Sequence, residues 1–354
     1  MVVIFTGQSG LDRTTYLAGL ERLARERGHS FKVFAVGDLL YELKHIERGR
    51  ILDTPVAEMN ALLQAVFERI RRERAEYKDI AVNTHATFRW KRGLIRGTDY
   101  RLIEPLKPDV YVTMIDDIAD VKRRLDQEYP DRFRYRDAMV WREEETLTTS
   151  LLAALTGRPH YVFARKHPIS TLYGLLFEPD KPKVYTSFPI SAVVSNAPVM
   201  AQIDEFKGEI ARHFTVFDPY TISEKKLDYA VQAARRRGED KITYEVDGGS
   251  MVIDIAELES ILPDIDDQII ARDFHLVEQS DFLVAYYPCY DNGEPIHSAG
   301  REREVAHARD LGKPVYSIWQ SAKEPGPFEQ DSATKIFRTL GEARDFLVKK
   351  YSKA

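Results

Sequence analysis

Two short stretches of this 354-residue chain carry residues whose types and spacing suit chemistry. The first is VVIFTGQSGLDRTTYLAGL, Val2 to Leu20, where an apolar run meets a Gly-rich loop and then a helical pattern. The phosphate-loop template is G-x-x-x-x-G-K-[ST], in which backbone N–H groups at a helix N-terminus receive a phosphate. Gly7 opens the loop, Gly10 lies within it, and Thr14 and Thr15 close it; Asp12 stands at the second glycine position and Arg13 at the lysine. Arg13 keeps a cation, and Thr14 keeps a hydroxyl suited to a magnesium ion brought by a nucleotide. Asp12 puts a negative charge where phosphate oxygens would approach, which should weaken triphosphate binding. An ordinary strand-to-helix turn accounts for the loop about equally well. The second stretch is HSAGREREVAHARDLGKPVYSIW, His297 to Trp319. Ser298, Ala299 and Gly300 lead into a helix that carries Glu302 and Glu304 beside Arg301, Arg303 and Arg309. Either this is a charged helix face of ordinary Glu–Arg pairs, or one carboxylate is aimed at a substrate.

The elements that must position these residues alternate between apolar strand-like runs and amphipathic helices, an α/β pattern with parallel sheets. VVIFTG, FKVFAVG, DIAVNTH and DVYVTMID read as buried strands, with TTYLAGLERLARERG and VAEMNALLQAVFERIRRERAEY as helices between them. The pattern breaks at LLFEPDKPKVY, Leu175 to Tyr185, a polar Pro-containing joint. A second series follows, with strands KVYTSFPI, FTVFDP, DFLVAYYP and KPVYSIW, and SATKIFRTLGEARDFLVKKY as a closing helix. Two domains are therefore expected, about 1–178 and 179–354.

Composition narrows the function classes. A net charge of −5 gives no reason to expect nucleic-acid binding. The single cysteine excludes an internal disulfide and a multi-cysteine metal site. His85, His275, His297 and His307 have no supporting ligand spacing, so no structural metal is expected. MVVIFTGQSG lacks the basic leader of a signal peptide, and no apolar run is long enough to span a bilayer. These features lead to the expectation of a cytoplasmic protein without membrane contact.

The N-terminal series, with VNTHATFRWKRGLIRG, LKPDVYVTMIDDIADVKRRL and RFRYRD, resembles the archaeal type of adenylate kinase from Met1 to about Leu172. The resemblance implies a P-loop nucleoside-monophosphate-kinase-like domain that binds ATP or a nucleoside monophosphate. FAVGDLLYEL, with Gly37 and Asp38, falls on the acceptor side, and Thr84, His85 and Thr87 fall at the family's strand end. The pair Arg123 and Arg124, together with Arg134, Arg136 and Asp137, falls where the family has phosphate-holding lid-region arginines. Asn83 stands where the family has an aspartate that helps organise magnesium. With Asp12 and Arg13, that departure argues against rapid phosphoryl transfer.

From KVYTSFPIS to about Trp319 the chain resembles the nucleoside 2-deoxyribosyltransferase-like superfamily, and within it the nucleoside 5′-monophosphate N-glycosidases. The resemblance implies a Rossmann-like or flavodoxin-like domain, with Glu304 as the catalytic glutamate. Ser298, six residues earlier, falls where the monophosphate enzymes place a phosphate-holding serine. Breaking a ribosyl–base bond needs a carboxylate beneath the anomeric carbon and a second acid–base group. Asp273 matches the family's catalytic aspartate, Tyr185 a tyrosine that contacts the glutamate, and Ser191 a polar position near the phosphate. Gly300 permits close backbone approach at the helix tip, where the dipole favours a phosphate. Phe188 and Pro189 replace the family's small Gly-containing turn, leaving base preference open. The resemblance also implies a homo-oligomer. Three functions follow: a nucleotide-processing enzyme that hydrolyses, or transfers from, the N-glycosidic bond of a (deoxy)nucleoside 5′-monophosphate; a catalytically weak nucleotide sensor; or an active monophosphate kinase with an inert C-terminal domain.

Overall fold

The computed structural model describes residues 1–45, 49–90, 93–190, 193 and 196–351, the side chain of Leu52 excepted. The chain begins with β1 (Val2–Thr6), α1 (Arg13–Glu26), β2 (Phe31–Ala35), α2 (Val36–Lys44), α3 (Val56–Glu73) and β3 (Asp79–Asn83). A short hairpin, β4 (Thr87–Trp90) and β5 (Gly93–Arg96), precedes α4 (Tyr100–Ile103), β6 (Val110–Ile115), α5 (Ile118–Glu128), α6 (Tyr135–Thr156) and β7 (His160–Ala164). Next come α7 (Ile169–Phe177), β8 (Lys183–Ser187), α8 (Ala197–His213) and β9 (Thr215–Phe217). An excursion comprises α9 (Lys225–Arg236), the hairpin β10 (Lys241–Val246) and β11 (Gly249–Asp254), and α10 (Ile255–Glu259). The chain then forms α11 (Leu262–Glu278), β12 (Phe282–Tyr287), α12 (Ala299–Asp310), β13 (Val315–Trp319), α13 (Pro327–Ser332), β14 (Lys335–Phe337) and α14 (Leu340–Tyr351). Among the described residues no helix is long and apolar enough to cross a membrane.

These elements form two units, Met1–Ile169 with Lys226–Pro263, and Ser170–Lys225 with Asp264–Ala354. That division departs from a single cut near residue 178. The β10–β11 hairpin fastens to the first unit through polar contacts. The Asp247 N–H donates to Asp120 Oδ1 at 2.6 Å, the Tyr135 hydroxyl to Met251 Sδ at 3.4 Å, and the Tyr135 N–H to Glu257 Oε1 at 3.1 Å. The apolar helix α7 instead belongs to the second unit. A Cβ on its Gly174 would lie 2.9 Å from Thr215 Oγ1, so the side-chain-free residue sets the approach to β9.

In the first unit five parallel strands run in the order β2-β3-β1-β6-β7. β1, β3 and β6 are buried along their whole length, as near-continuous apolar runs covered on both faces should be. Ile4, Phe67, Ile70, Ile80 and Tyr111 centre the core on one side of that sheet. In the second unit the parallel order is β14-β13-β12-β8-β9. Counted within the unit this is 2-1-3-4-5, a doubly wound sheet whose winding reverses between β8 and β12. Ligands of such sheets bind in the crevice at the carboxyl ends of the strands beside that reversal.

The C-terminal stretch SATKIFRTLGEARDFLVKKY is not one helix. Lys335–Phe337 is the edge strand β14, paired with β13 in the register Tyr316↔Lys335. The helix restarts at a capping box: Thr339 Oγ1 accepts from the Glu342 N–H at 3.2 Å, and Glu342 Oε2 accepts from the Thr339 N–H at 3.2 Å.

Candidate functional sites

The P-loop of the first unit opens on a cavity of about 760 Å³, a volume suited to a nucleotide-sized ligand. Of the loop and strand-end residues singled out in the sequence, Gly10, Arg13, Thr14, Thr84 and His85 line it. Gly7, Thr15, Arg124, Arg134 and Arg136 do not. Gly7 is buried beneath the loop, and Arg134 and Arg136 are exposed at the start of α6. Three buried polar side chains of the cavity wall, Gln8, Asn83 and Thr54, are 2%, 7% and 8% exposed. Among the described residues, both amide atoms of Gln8, Asn83 Oδ1 and Thr54 Oγ1 have no hydrogen-bond partner. Buried polar atoms of this kind are costly unless something satisfies them, which suits a polar ligand.

Arg13 does not reach freely into the cavity. Its Nη1 donates to the Thr84 carbonyl at 2.7 Å and its Nη2 to His85 Nε2 at 2.9 Å. His85 Nδ1 lies 3.2 Å from Glu145 Oε1. Burial, and then the Arg13 charge, lower the His85 pKa to about 4. The ring is therefore neutral near pH 7, accepting at Nε2 and donating from Nδ1. Burial lowers Arg13 to about 10, with the Glu145 charge opposing. Glu145, fully buried on α6, also accepts from the N–H groups of Gly7 (3.3 Å), Ala86 (2.9 Å) and Thr87 (3.3 Å). One carboxylate thus ties the first loop glycine to the strand end and, through His85, to the loop cation. At Gly7 itself, φ is +139° and a Cβ would meet Met114 O at 2.6 Å and Leu11 Cδ1 at 2.7 Å. Gly7→Ala should lower stability by about 2 kcal/mol or more, read as an earlier urea-unfolding midpoint.

Asp12 takes the second glycine position with φ 49°, a left-handed conformation that an aspartate tolerates better than most residues. Its charge is matched, because Arg165 Nη2 donates to Asp12 Oδ2 at 2.9 Å. Arg124 donates through Nη1 to the Gly10 carbonyl at 2.9 Å and to Asp116 Oδ2 at 2.8 Å. Lys166 meets Asp120 Oδ2 at 2.6 Å. Carboxylate oxygens of Asp116, Asp120 and Asp247 lie within 4.8 Å of one another, but each of these residues has a cationic partner. For magnesium the donor set is thin: Thr14 offers a hydroxyl, Asn83 is neutral, and the nearby acids are paired with basic groups. These residues do not make a resident metal site.

In the second unit Tyr185, Ser187, Asp273 and Glu304 come together at the carboxyl end of β8, beside the winding reversal. Tyr185 and Ser187 are fully buried, and Asp273 and Glu304 are each 8% exposed. Ser187 Oγ donates to Glu304 Oε2 at 2.5 Å. Burial, and then the Asp273 charge, push Glu304 up to about 7. Burial also raises Asp273, opposed by Arg272, whose Nε donates to Asp273 Oδ1 at 2.9 Å. Burial, with both carboxylate charges, raises Tyr185 well above its ordinary range, so its phenol stays protonated. Ser187 was missed in the sequence, although it sits two residues after Tyr185 and so on the same strand face. Arg272 was missed as well.

Ser298 is the N-cap of α12; its carbonyl accepts from the Glu302 N–H at 3.0 Å and its hydroxyl makes no capping bond. Gly300 is exposed in the first turn. Arg301 is not part of a solvated face. It is 1% exposed, its guanidinium carbon lies 3.6 Å from the centre of the Tyr287 ring, and its Nη1 donates to the Ile296 carbonyl at 2.9 Å. Phe188 is a core residue packed edge-on to Phe206. Ser191 lies outside the described residues.

A family model described as an AAA domain matches residues 6–141. The adenylate kinase of Pyrococcus abyssi (strain GE5 / Orsay) is 29% identical over 154 residues, covering 38% of this chain and 74% of that protein. The adenylate kinase of Methanopyrus kandleri is 26% identical over 165 residues, covering 44% and 84%. A solved deoxyadenosine kinase from M. mycoides is similar over 51% of this chain and 98% of its own, at 10% identity and a TM-score of 0.31, a likeness too loose to build on. With the β1–loop–α1 order and the cavity that the loop lines, the first unit is a P-loop domain of nucleoside-monophosphate-kinase-like build.

Proposed function

We propose that the protein processes nucleotides through two sites, and that the second unit cleaves the N-glycosidic bond of a (deoxy)nucleoside 5′-monophosphate. The observation that carries this reading is the buried pair Glu304 and Asp273, set with Ser187 and Tyr185 at the carboxyl end of β8. A buried carboxylate raised by burial and by the charge of a second buried carboxylate, as Glu304 is by Asp273, is costly to a fold and suits acid–base or nucleophilic work. In this reading Glu304, held by Ser187, attacks the anomeric carbon. The C1′–N bond breaks as the Glu304–C1′ bond forms, and the bond's electron pair leaves with the base, which takes a proton from Asp273. Water, or another base, then attacks C1′ and gives a proton back to Asp273 as the C1′–Glu304 bond breaks and the Glu304 carboxylate is released. Arg272 holds Asp273 in place, and Ser298 with the first turn of α12 receives the 5′-phosphate. The experiment is incubation of the full chain with a panel of ribo- and deoxyribonucleoside 5′-monophosphates, with free base quantified chromatographically. One or more should release base, and the matching 5′-hydroxyl nucleosides should do so at least about tenfold more slowly. No base from any monophosphate would sink the reading.

The first unit is proposed to bind nucleotide with little phosphoryl transfer. The unpartnered Gln8, Asn83 and Thr54 support binding. Engagement of Arg13 by Thr84 and His85 supports weak transfer, since the cation at the lysine position is already occupied. Magnesium would then enter only with the nucleotide's own phosphates.

A further inference from the structure

We propose that Asp247 sets the phosphate-chain length accepted by the P-loop site, by standing in for a phosphate on two arginines beside the loop; the proposal rests on the reading of the first unit as a nucleotide site. The turn of the β10–β11 hairpin carries Asp247 and Gly248, and Gly248 takes the left-handed φ of +82° the turn requires. The Asp247 N–H is held by Asp120, which fixes where the carboxylate points. Asp247 Oδ2 lies 3.0 Å from Arg124 Nη2 and 3.6 Å from Arg165 Nη1. Both arginines are anchored to the loop itself, Arg124 on the Gly10 carbonyl and Arg165 on Asp12. An anion bridging two loop-anchored guanidinium groups is what a phosphate beyond the first would be in a nucleotide bound along this loop.

The surroundings are built for more anionic contact than Asp247 supplies. Among the described residues the buried Nε atoms of Arg123 and Arg165 have no partner. The hairpin tip reaches the Arg123 guanidinium: a Cβ on Gly248 would lie in ordinary contact, 3.6 Å from Arg123 Nη2. Three basic groups, Arg124, Arg165 and Lys166, pair with the four acids Asp12, Asp116, Asp120 and Asp247. Of these acids Asp247 is the one on a hairpin turn, and its side chain is 45% exposed. A short phosphate chain can bind with Asp247 in place. A longer one has to displace it, because two anions on the same arginines repel.

The test uses the full chain and calorimetric titration at fixed salt with adenosine mono-, di- and triphosphate and inorganic tripolyphosphate as probes. Asp247→Asn should tighten the triphosphate and tripolyphosphate by about tenfold and leave the monophosphate within about twofold. Asp247→Glu keeps the charge and should keep the wild-type preference. Binding of all three nucleotides with their ratio unchanged in Asp247→Asn would overturn this inference alone. Absence of any nucleotide binding to the wild type would sink the nucleotide-site reading and this inference with it. If Asp247→Asn loses its fold, amide hydrogen exchange of the wild-type hairpin decides. Triphosphate should speed exchange over 241–254 and monophosphate should not, and equal protection with both would refute the proposal.

Discussion

Glu304→Gln should cut base release by about 10³-fold or more and at the same time raise the melting temperature above pH 7. Both effects come from one buried carboxylate. The amide keeps the shape and can still accept from Ser187 Oγ, so the fold should survive, but it cannot form the glycosyl ester. The stability effect follows from the pKa. Glu304 is raised from an ordinary 4.5 to about 7, by burial first and by Asp273 second. The folded state therefore holds this proton more tightly than the unfolded chain. The stabilisation from the protonated form is complete below about pH 4.5 and is lost as pH rises through about 7. Above that the buried charge costs up to about 3 kcal/mol. Replacing the acid by an amide removes that cost, so the gain should be clear at pH 8 and close to absent at pH 5. Wild-type activity should move the opposite way, rising with pH through about 7 as the nucleophile ionises. A site that weakens its own fold at the pH where it works is a recognised compromise between stability and activity. A variant that keeps base release within about tenfold, or a thermal gain that ignores pH, would remove Glu304 from the centre of the reaction.

How much of this was legible in the sequence depends on the range of the interaction. Apolar runs such as VVIFTG and FLVAYY gave the strands, because a strand buried on both faces needs no partner to be recognised. The loop between Gly7 and Thr15 was readable for the same reason: a strand, a glycine turn and a helix are local. The fate of its charges was not. By sequence alone Asp12 is an obstacle to phosphate; in the fold Arg165, far along the chain, pairs with it. Arg301 read as one more charge on a solvated helix, yet it lies buried on the Tyr287 ring. The Asp-Gly-Gly at 247–249 was a readable hairpin signal, but nothing local says on which unit a polar hairpin docks. Likewise Thr339 and Glu342 spell a capping box, which dates the last helix from Leu340 and frees Lys335–Phe337 to be a strand.

Glu145 is the sharpest case of a residue hidden by its neighbours, and its removal should have the largest structural effect. It sits in Arg-Glu-Glu-Glu, a run that reads as a wet helix face. The helix period decides otherwise. Arg142, Glu145, Thr149 and Leu152 recur at spacings of three and four and are all buried on α6, whereas Leu151 and Leu155 of the same helix are exposed. Glu145→Ala would leave the N–H groups of Gly7, Ala86 and Thr87 without their acceptor, and His85 Nδ1 without its partner. Removing one partner from a buried charged network costs about 3–5 kcal/mol, so the urea-unfolding midpoint should fall markedly. Glu145→Gln keeps one carbonyl acceptor and should cost roughly half as much. Nucleotide affinity should fall with it, by about tenfold or more, because the loop's first glycine and its cation lose their common anchor. Gly7 and the strand end at Ala86 and Thr87 would then be free to move apart, and Arg13 would lose the nearby charge that opposes its desolvation. If Glu145→Ala unfolds at the wild-type midpoint, the loop is held by its own backbone and the carboxylate is incidental. If it loses stability but binds nucleotide with unchanged affinity, Glu145 supports the fold and the geometry of the loop is set elsewhere.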